Sequence, residues 1–264
     1  MQKKLSIILF FLILVLSLWA GCSTTGVIPD TDDPDSDPII TNRVVMVELF
    51  VAPACTHCPQ AKEDVAQLLE EYGLDKIVVL EEYAWNYPLT FSSGWAIPDT
   101  ISRYSMYTSD TATPDAYFNG LNQTVHHDNS SYNNYKNAIN AELAKPVQIA
   151  ISATATKDSD IKLINITGNI QNVGDSAFSN IVIGAMIYED SVPLGAGTAN
   201  HVVRDIVTSE QIDSFSDGES LSFSLTADSE DLKYVHNFNN LHIVVYVQAA
   251  NSWTREILQA LYVE

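Results

Sequence analysis

VELFVAPACTHCPQAKEDVAQLLE, residues 47–70, holds two of the three cysteines in the chain, Cys55 and Cys58. Just upstream and overlapping it, residues 44–51 read VVMVELFV, a run rich in β-branched residues that predicts a strand. Downstream, residues 60–72 repeat apolar Ala61, Val65, Leu68 and Leu69 at steps of three and four, the period of a helix. Gly73 suits the end of that helix. Residues 76–80, KIVVL, predict a second strand. Strand, helix, strand in this order implies a right-handed βαβ unit with parallel strands. The cysteine pair therefore sits where a strand turns into a helix.

Three chemistries fit a pair so placed. Free N–H groups and the dipole at a helix start stabilise a thiolate. His57, when protonated, adds a positive charge, and together these make Cys55 the attacking sulfur. Cys58, one turn further in, would resolve a mixed disulfide by exchange. Pro59 is tolerated among the early, unpaired donors of the helix. The second chemistry is metal binding. A structural zinc site wants four protein ligands, and there is no second CxxC; His57, His126 and His127 are the candidates to join the two sulfurs. The third is an inert disulfide, which would close a loop too short to add much stability. The position at the helix start favours exchange.

The chain opens with Lys3, Lys4 and an almost unbroken apolar run over residues 5–21. That run is marginal for a span, which needs roughly 20 residues, and residues 1–21 read as a signal peptide. LWAGCS, residues 18–23, resembles the lipobox of bacterial lipoproteins, with Trp19 where leucine is usual. The resemblance implies lipidation of Cys22 and a membrane tether outside the cytoplasm, in the cell envelope. Residues 22–42 then form an acidic segment in which 23–42 carry three prolines, five aspartates and no aromatic residue, the composition of a flexible tether. Without residues 1–21 the chain keeps 33 acidic against 11 basic side chains, a balance that repels nucleic acid and anionic lipid. Disulfides persist in such a compartment.

Two folded regions follow, 43–145 and 146–264. In the first, 97–107 reads as a helix, 115–118 as a strand, Asn119-Gly120 as a hairpin turn, and 121–125 as the return strand. Residues 130–143 close it as a helix with Tyr132, Tyr135, Ile139 and Leu143 in helical register. Pro146 marks the boundary. Beyond it, alternating runs at 147–154, 161–169, 181–188, 221–226, 241–247 and 256–263, with a less regular one near 202–207, predict an all-β sandwich of immunoglobulin-like or fibronectin-like size.

With the strand, CTHC and helix in place, and Thr113-Pro114 directly before the strand DAYF and the turn NG, the first region resembles the thioredoxin superfamily. That resemblance implies an α/β thioredoxin-like domain in which Pro114 is a cis-proline beside the dithiol and the backbone of Thr113 pairs with substrate. More narrowly, Phe50, the proline after Cys58, the hairpin YFNG and the stretch HVVRD at 201–205 are similar to bacterial lipoproteins related to the twenty-eight-kilodalton outer-membrane protein, which add a C-terminal β-sandwich. The expectation is extracytoplasmic thiol–disulfide exchange on protein or peptide substrates through Cys55, Cys58 and His57, with no cofactor and with a redox partner to recycle the dithiol. Two other classes stay open: a surface binding or adhesion module on a thioredoxin-like scaffold, and copper or zinc carriage by Cys55, Cys58 and His57.

Departures from the thioredoxin pattern are local. Ala54 stands where that family has tryptophan, and Leu49 where it has a buried acid. Glu48, one residue away, faces the dithiol only if a bulge shifts the strand. An insertion over 83–110 carries Trp85, Tyr87, Phe91, Trp95, Tyr104 and Tyr107, expected mainly in the core, with a substrate groove as the alternative.

Overall fold

A computed structural model describes residues 27–28, 39–40, 42–85, 94–108, 112–120, 131–194, 197–250 and 255–263. The signal segment, Cys22, most of the tether, the return strand at 121–125, His126, His127, Tyr87 and Phe91 lie outside these residues. No helix among the described residues is long and apolar enough to cross a membrane.

The order of elements is β1 (Val45–Val51), α1 (Cys58–Tyr72), β2 (Ile77–Tyr83), α2 (Pro98–Tyr107), β3 (Asp115–Phe118) and α3 (Ser131–Leu143). There follow β4 (Ile149–Asp158), β5 (Leu163–Asn172), β6 (Ile181–Glu189), β7 (Val192–Leu194), β8 (Gly197–Ala199), β9 (Val202–Thr208), β10 (Ser220–Ala227), β11 (Leu241–Ala249) and β12 (Ile257–Val263). The three α-helices among the described residues and the long strands fall where periodicity predicts them. Helix α1 starts at Cys58, slightly before the periodic run, and ends as Gly73, at φ +79°, donates its N–H to Leu69.

β1 is buried along its whole length, as a strand covered on both faces must be. It pairs in parallel with β2, from Val45↔Ile77 to Val51↔Tyr83, and antiparallel with β3. Alternation then sends Val45, Val47, Leu49 and Val51 to one face, against the apolar stripe of α1 (Cys58, Ala61, Val65, Leu68) and against Tyr135 and Ile139 of α3. On the other face Phe50 packs with Tyr104 of α2 and Tyr117 of β3.

The sheet does not stop at residue 146. Its seven strands run in the order β12-β11-β6-β9-β2-β1-β3. A parallel pair, Val202↔Glu81, joins β9 to β2, while the pairs β9–β6, β6–β11 and β11–β12 are antiparallel. The sheet folds back on itself, because Met46, Val78 and Leu80 share one apolar cluster with Met186, Tyr188, Val244, Tyr246 and Ala260 from strands up to five places away. The opposite face of β6 and β11 (Ile183, Ile187, Ile243, Val245) packs on a second sheet containing β4, β5 and β10 through Ile151, Ile166, Ile170 and Leu225. Two dipeptides of the tether extend that second sheet: Val27–Ile28 pairs with Ile39–Ile40, and Ile40 pairs with Ile151.

Polar side chains seal the seam between the two halves of the coiled sheet. Arg43 donates to the carbonyl of Leu258 and to Glu142 at 3.2 Å. Gln259 accepts from the N–H of Val44 at 3.0 Å and donates to Asn42 and Ile149. Deeper in, Arg103 is ion-paired to Glu48, donates to Tyr107 at 3.1 Å, and reaches Gln248 at 3.3 Å across the fold.

Candidate functional site

β1 ends at Val51, and the chain turns through 52–57 with the N–H of Cys55 donating to Ala52 at 3.2 Å. Cys55 and Cys58 are joined as a disulfide. The two sulfurs are not equivalent. Cys58 is only 2% exposed and lies in the apolar cluster with Leu49 and Val65, whereas Cys55 is part-exposed. The first backbone N–H of α1, that of Cys58, donates to Cys55 Sγ at 3.0 Å. A donor at a helix N-terminus favours negative charge on its acceptor, so the same contact would hold a Cys55 thiolate.

Thr113-Pro114 is a cis peptide bond. It brings the carbonyl oxygen of Thr113 to 3.3 Å from Cys55 Sγ. As a disulfide, Cys55 has no proton to donate to that oxygen; as a thiol it would have one. Thr113 is part-exposed and Pro114 buried, so this carbonyl stands at the edge of the dithiol. His57 is the exposed N-cap residue of α1, and its side chain makes no capping hydrogen bond. Structure thus gathers Cys55, Cys58 and Thr113-Pro114 at one place, with His57 on the rim.

Glu48 is not part of this group. β1 keeps regular register with β2, without a bulge, and so Glu48 points away from the dithiol. It accepts from Arg103 and from Tyr107 at 2.8 Å. Leu49, on the dithiol side, is apolar and fully buried. Among the aromatic residues of the insertion, Trp95 packs on Tyr83 and Tyr104 on Phe50, both in the core. Trp85 and Tyr107 are partly buried against the same aromatic cluster.

Other titratable groups that share a cleft with the dithiol escaped sequence reading. A cleft of about 400 Å³ is lined by Cys55 and Cys58 together with Lys62, Glu81, Tyr83 and His201. Lys62 lies one helical turn beyond Cys58, on the same face. Its Nζ pairs with Glu81 at 2.5 Å and donates to Tyr83 at 2.9 Å. Burial works to lower the Lys62 pKa, but the Glu81 charge and these hydrogen bonds outweigh it and raise it. Burial pushes the Glu81 carboxyl up, against the pull of Lys62. The available signals were the i, i+4 spacing of Cys58 and Lys62, and the acids Glu81 and Glu82 interrupting an apolar run. Among the described residues no three His, Cys, Asp or Glu side chains are grouped to hold a metal.

No protein-family model and no curated protein matches the chain. Solved structures do. HBP35 of Porphyromonas gingivalis is similar over 83% of this chain and 74% of its own, with a TM-score of 0.66 at 14% identity. A protein from Agrobacterium tumefaciens is similar over 84% of this chain and 95% of its own, with a TM-score of 0.58 at 20% identity. A domain of the outer membrane lipoprotein Omp28 from Porphyromonas gingivalis matches 45% of this chain and 88% of that domain at 21% identity, but its TM-score of 0.33 does not establish a common fold. At these identities the first two likenesses show shared architecture alone.

Proposed function

We propose that this chain is an envelope-tethered thiol–disulfide exchange protein, a thioredoxin-like unit extended by a β-sandwich and anchored through Cys22. One observation carries the reading. The sulfur of the more exposed cysteine, Cys55 Sγ, receives the first N–H of α1 at 3.0 Å, and Cys55 lines a cleft.

The oxidised form takes two electrons from a substrate dithiol. A substrate thiolate attacks Cys55 Sγ, the Cys55–Cys58 bond breaks, and Cys58 leaves as a thiolate that takes up a proton. The second substrate thiol loses its proton and attacks the substrate sulfur of the mixed disulfide. A substrate disulfide forms, and Cys55 leaves as a thiolate held by the Cys58 N–H. Stabilising that thiolate makes Cys55 a better leaving group and favours the reduced protein. A separate disulfide-bearing partner must reoxidise the dithiol, and the reverse sequence reduces substrate disulfides. His57 adds positive charge beside Cys55 when it is protonated, and Thr113 offers its backbone to an extended substrate segment. The lipobox, the acidic spacer and the persistence of disulfides outside the cytoplasm support an envelope location.

The test uses residues 23–264. In Cys58→Ser, the Cys55 thiolate should attack a peptide disulfide, release one half as a thiol and keep the other as a stable mixed disulfide seen by mass spectrometry, and Cys55→Ser should capture none. The Cys55 thiolate absorbance should titrate well below the ordinary thiol pKa of about 8.5. An unshifted Cys55 thiol that captures nothing would sink the exchange reading and leave a binding module on this scaffold.

A further inference from the structure

The cleft beside the dithiol has two walls from distant parts of the chain. One is α1, with Lys62 and Glu63; the floor is Glu81 and Tyr83 of β2. The opposite wall is the hairpin β7–β8 and the turn after it, through Leu194, Thr198 and His201. This second wall is firmly held. Val192, Ala199 and Val202 belong to the same apolar cluster as Cys58 and Leu49, and the N–H of Glu81 donates to His201 at 2.7 Å. The turn is tied down as well, since the His201 N–H donates to Asp190 at 2.7 Å.

We infer that the hairpin β7–β8 is the specificity wall of the dithiol, and that the cleft holds the residues flanking a substrate cysteine, selecting neutral or basic segments with an apolar side chain. This rests on the exchange reading. A volume of about 400 Å³ falls in the range of small-ligand clefts, roughly 300–1,000 Å³. Its size suits one or two side chains next to a cysteine held at Cys55 Sγ. Charge sets the sign of the selection. One lysine, already paired to Glu81, faces two carboxylates, Glu63 and Glu81, in the lining. Burial lowers the pKa of His201; Asp190 works against that and His242 with it. An acidic segment would therefore meet net negative charge, and a protein of net charge −20 adds a long-range repulsion. Apolar contacts come from Pro53, Leu194 and Ala199.

The experiment measures oxidation of three synthetic two-cysteine peptides by the protein, with oxidised glutathione supplied to re-form the Cys55–Cys58 disulfide and the protein-free rate subtracted, the cysteines being flanked by leucine and lysine, by glycine, or by glutamate. The expected order of kcat/KM is the order given, with about tenfold or more between first and last. Thr198→Trp places bulk on an exposed residue at the cleft without touching the dithiol. It should lower kcat/KM for the leucine–lysine peptide about tenfold, through KM, and that for the glycine peptide by less than threefold. Asn200→Trp, also exposed and lining the cleft, serves as a second variant if circular dichroism shows Thr198→Trp unfolded. Wild-type rates within twofold of one another, or a tryptophan variant that slows all peptides equally or none, would overturn the cleft assignment and leave exchange standing. A wild-type protein that oxidises no peptide would remove both.

Discussion

The backbone N–H of Glu81 donates to the carbonyl of His201 at 2.7 Å, and Val202 pairs in parallel with Glu81 beside it. This junction carries the sheet of the cysteine-bearing region into the strands that follow residue 146. It also places the β7–β8 hairpin across from α1. Cleft and continuous sheet are thus two consequences of one pairing.

The shared interior behind this sheet should make the first region dependent on the second. Residues 43–145 expressed alone would expose Met46, Val78 and Leu80 and strip Arg43 and Arg103 of partners at Leu258 and Gln248. The isolated segment is expected to bind a hydrophobic dye and to melt without a cooperative transition. A sharp transition near that of residues 23–264, with no dye binding, would show that the first region supplies its own core.

Arg103 and Glu48 form a buried ion pair whose side chains are 5% and 0% exposed. Removing the cation alone strands a charge in the interior. Arg103→Met should cost about 3–5 kcal/mol in urea unfolding. The double variant Arg103→Met/Glu48→Leu should recover a large part of that loss, because no buried charge is left from the pair. A double variant less stable than Arg103→Met would show that packing, not the orphaned charge, sets the cost.

Glu82 lies beside this pair, 3.9 Å from Arg103, with both carboxyl oxygens buried and without a hydrogen-bond partner among the described residues. Burial, then the neighbouring Glu48 charge, raises its pKa well above the ordinary 4.5. The folded state therefore keeps this proton after the unfolded chain has released it. Stability falls as pH rises through the ordinary value, and levels only above the folded pKa. Glu82→Gln should match the parent near pH 4 and exceed it by about 1 kcal/mol or more at pH 7. Thermal melts across that interval check the sign; a gain confined to acid pH would refute it.

Gly184 makes room for Tyr246 opposite it on β11. A Cβ there would lie 2.2 Å from the Tyr246 ring, whose hydroxyl reaches Arg103 at 3.4 Å. Gly184→Ala should destabilise the protein by about 1–3 kcal/mol through overpacking. The companion Gly184→Ala/Tyr246→Leu should regain most of the loss, and equal unfolding midpoints for Gly184→Ala and the parent would contradict the packing.

Local signals made much of this molecule legible from its residues. β-branched runs and the three-to-four spacing of Ala61, Val65 and Leu68 announce β1 and α1 because periodicity is set within a few residues. The same proximity puts Cys55 at a helix start and Thr113-Pro114 before a strand. Other features depend on partners far along the chain. Glu81 and Glu82 follow the apolar run 76–80, and both are buried in a strand that continues to Tyr83. Lys62 pairs with Glu81 there, and Glu82 lies beside Arg103 with its carboxyl pKa raised well above the ordinary value by burial. Nor does the run near 202–207 say which strand will lie beside it. Its parallel pairing with β2 joins residues more than a hundred positions apart. The sequence by itself determined where strands and helices begin and which sulfurs sit together. Only the tertiary structure decided what surrounds those sulfurs, because a cleft wall is made by long-range pairing that no local pattern encodes.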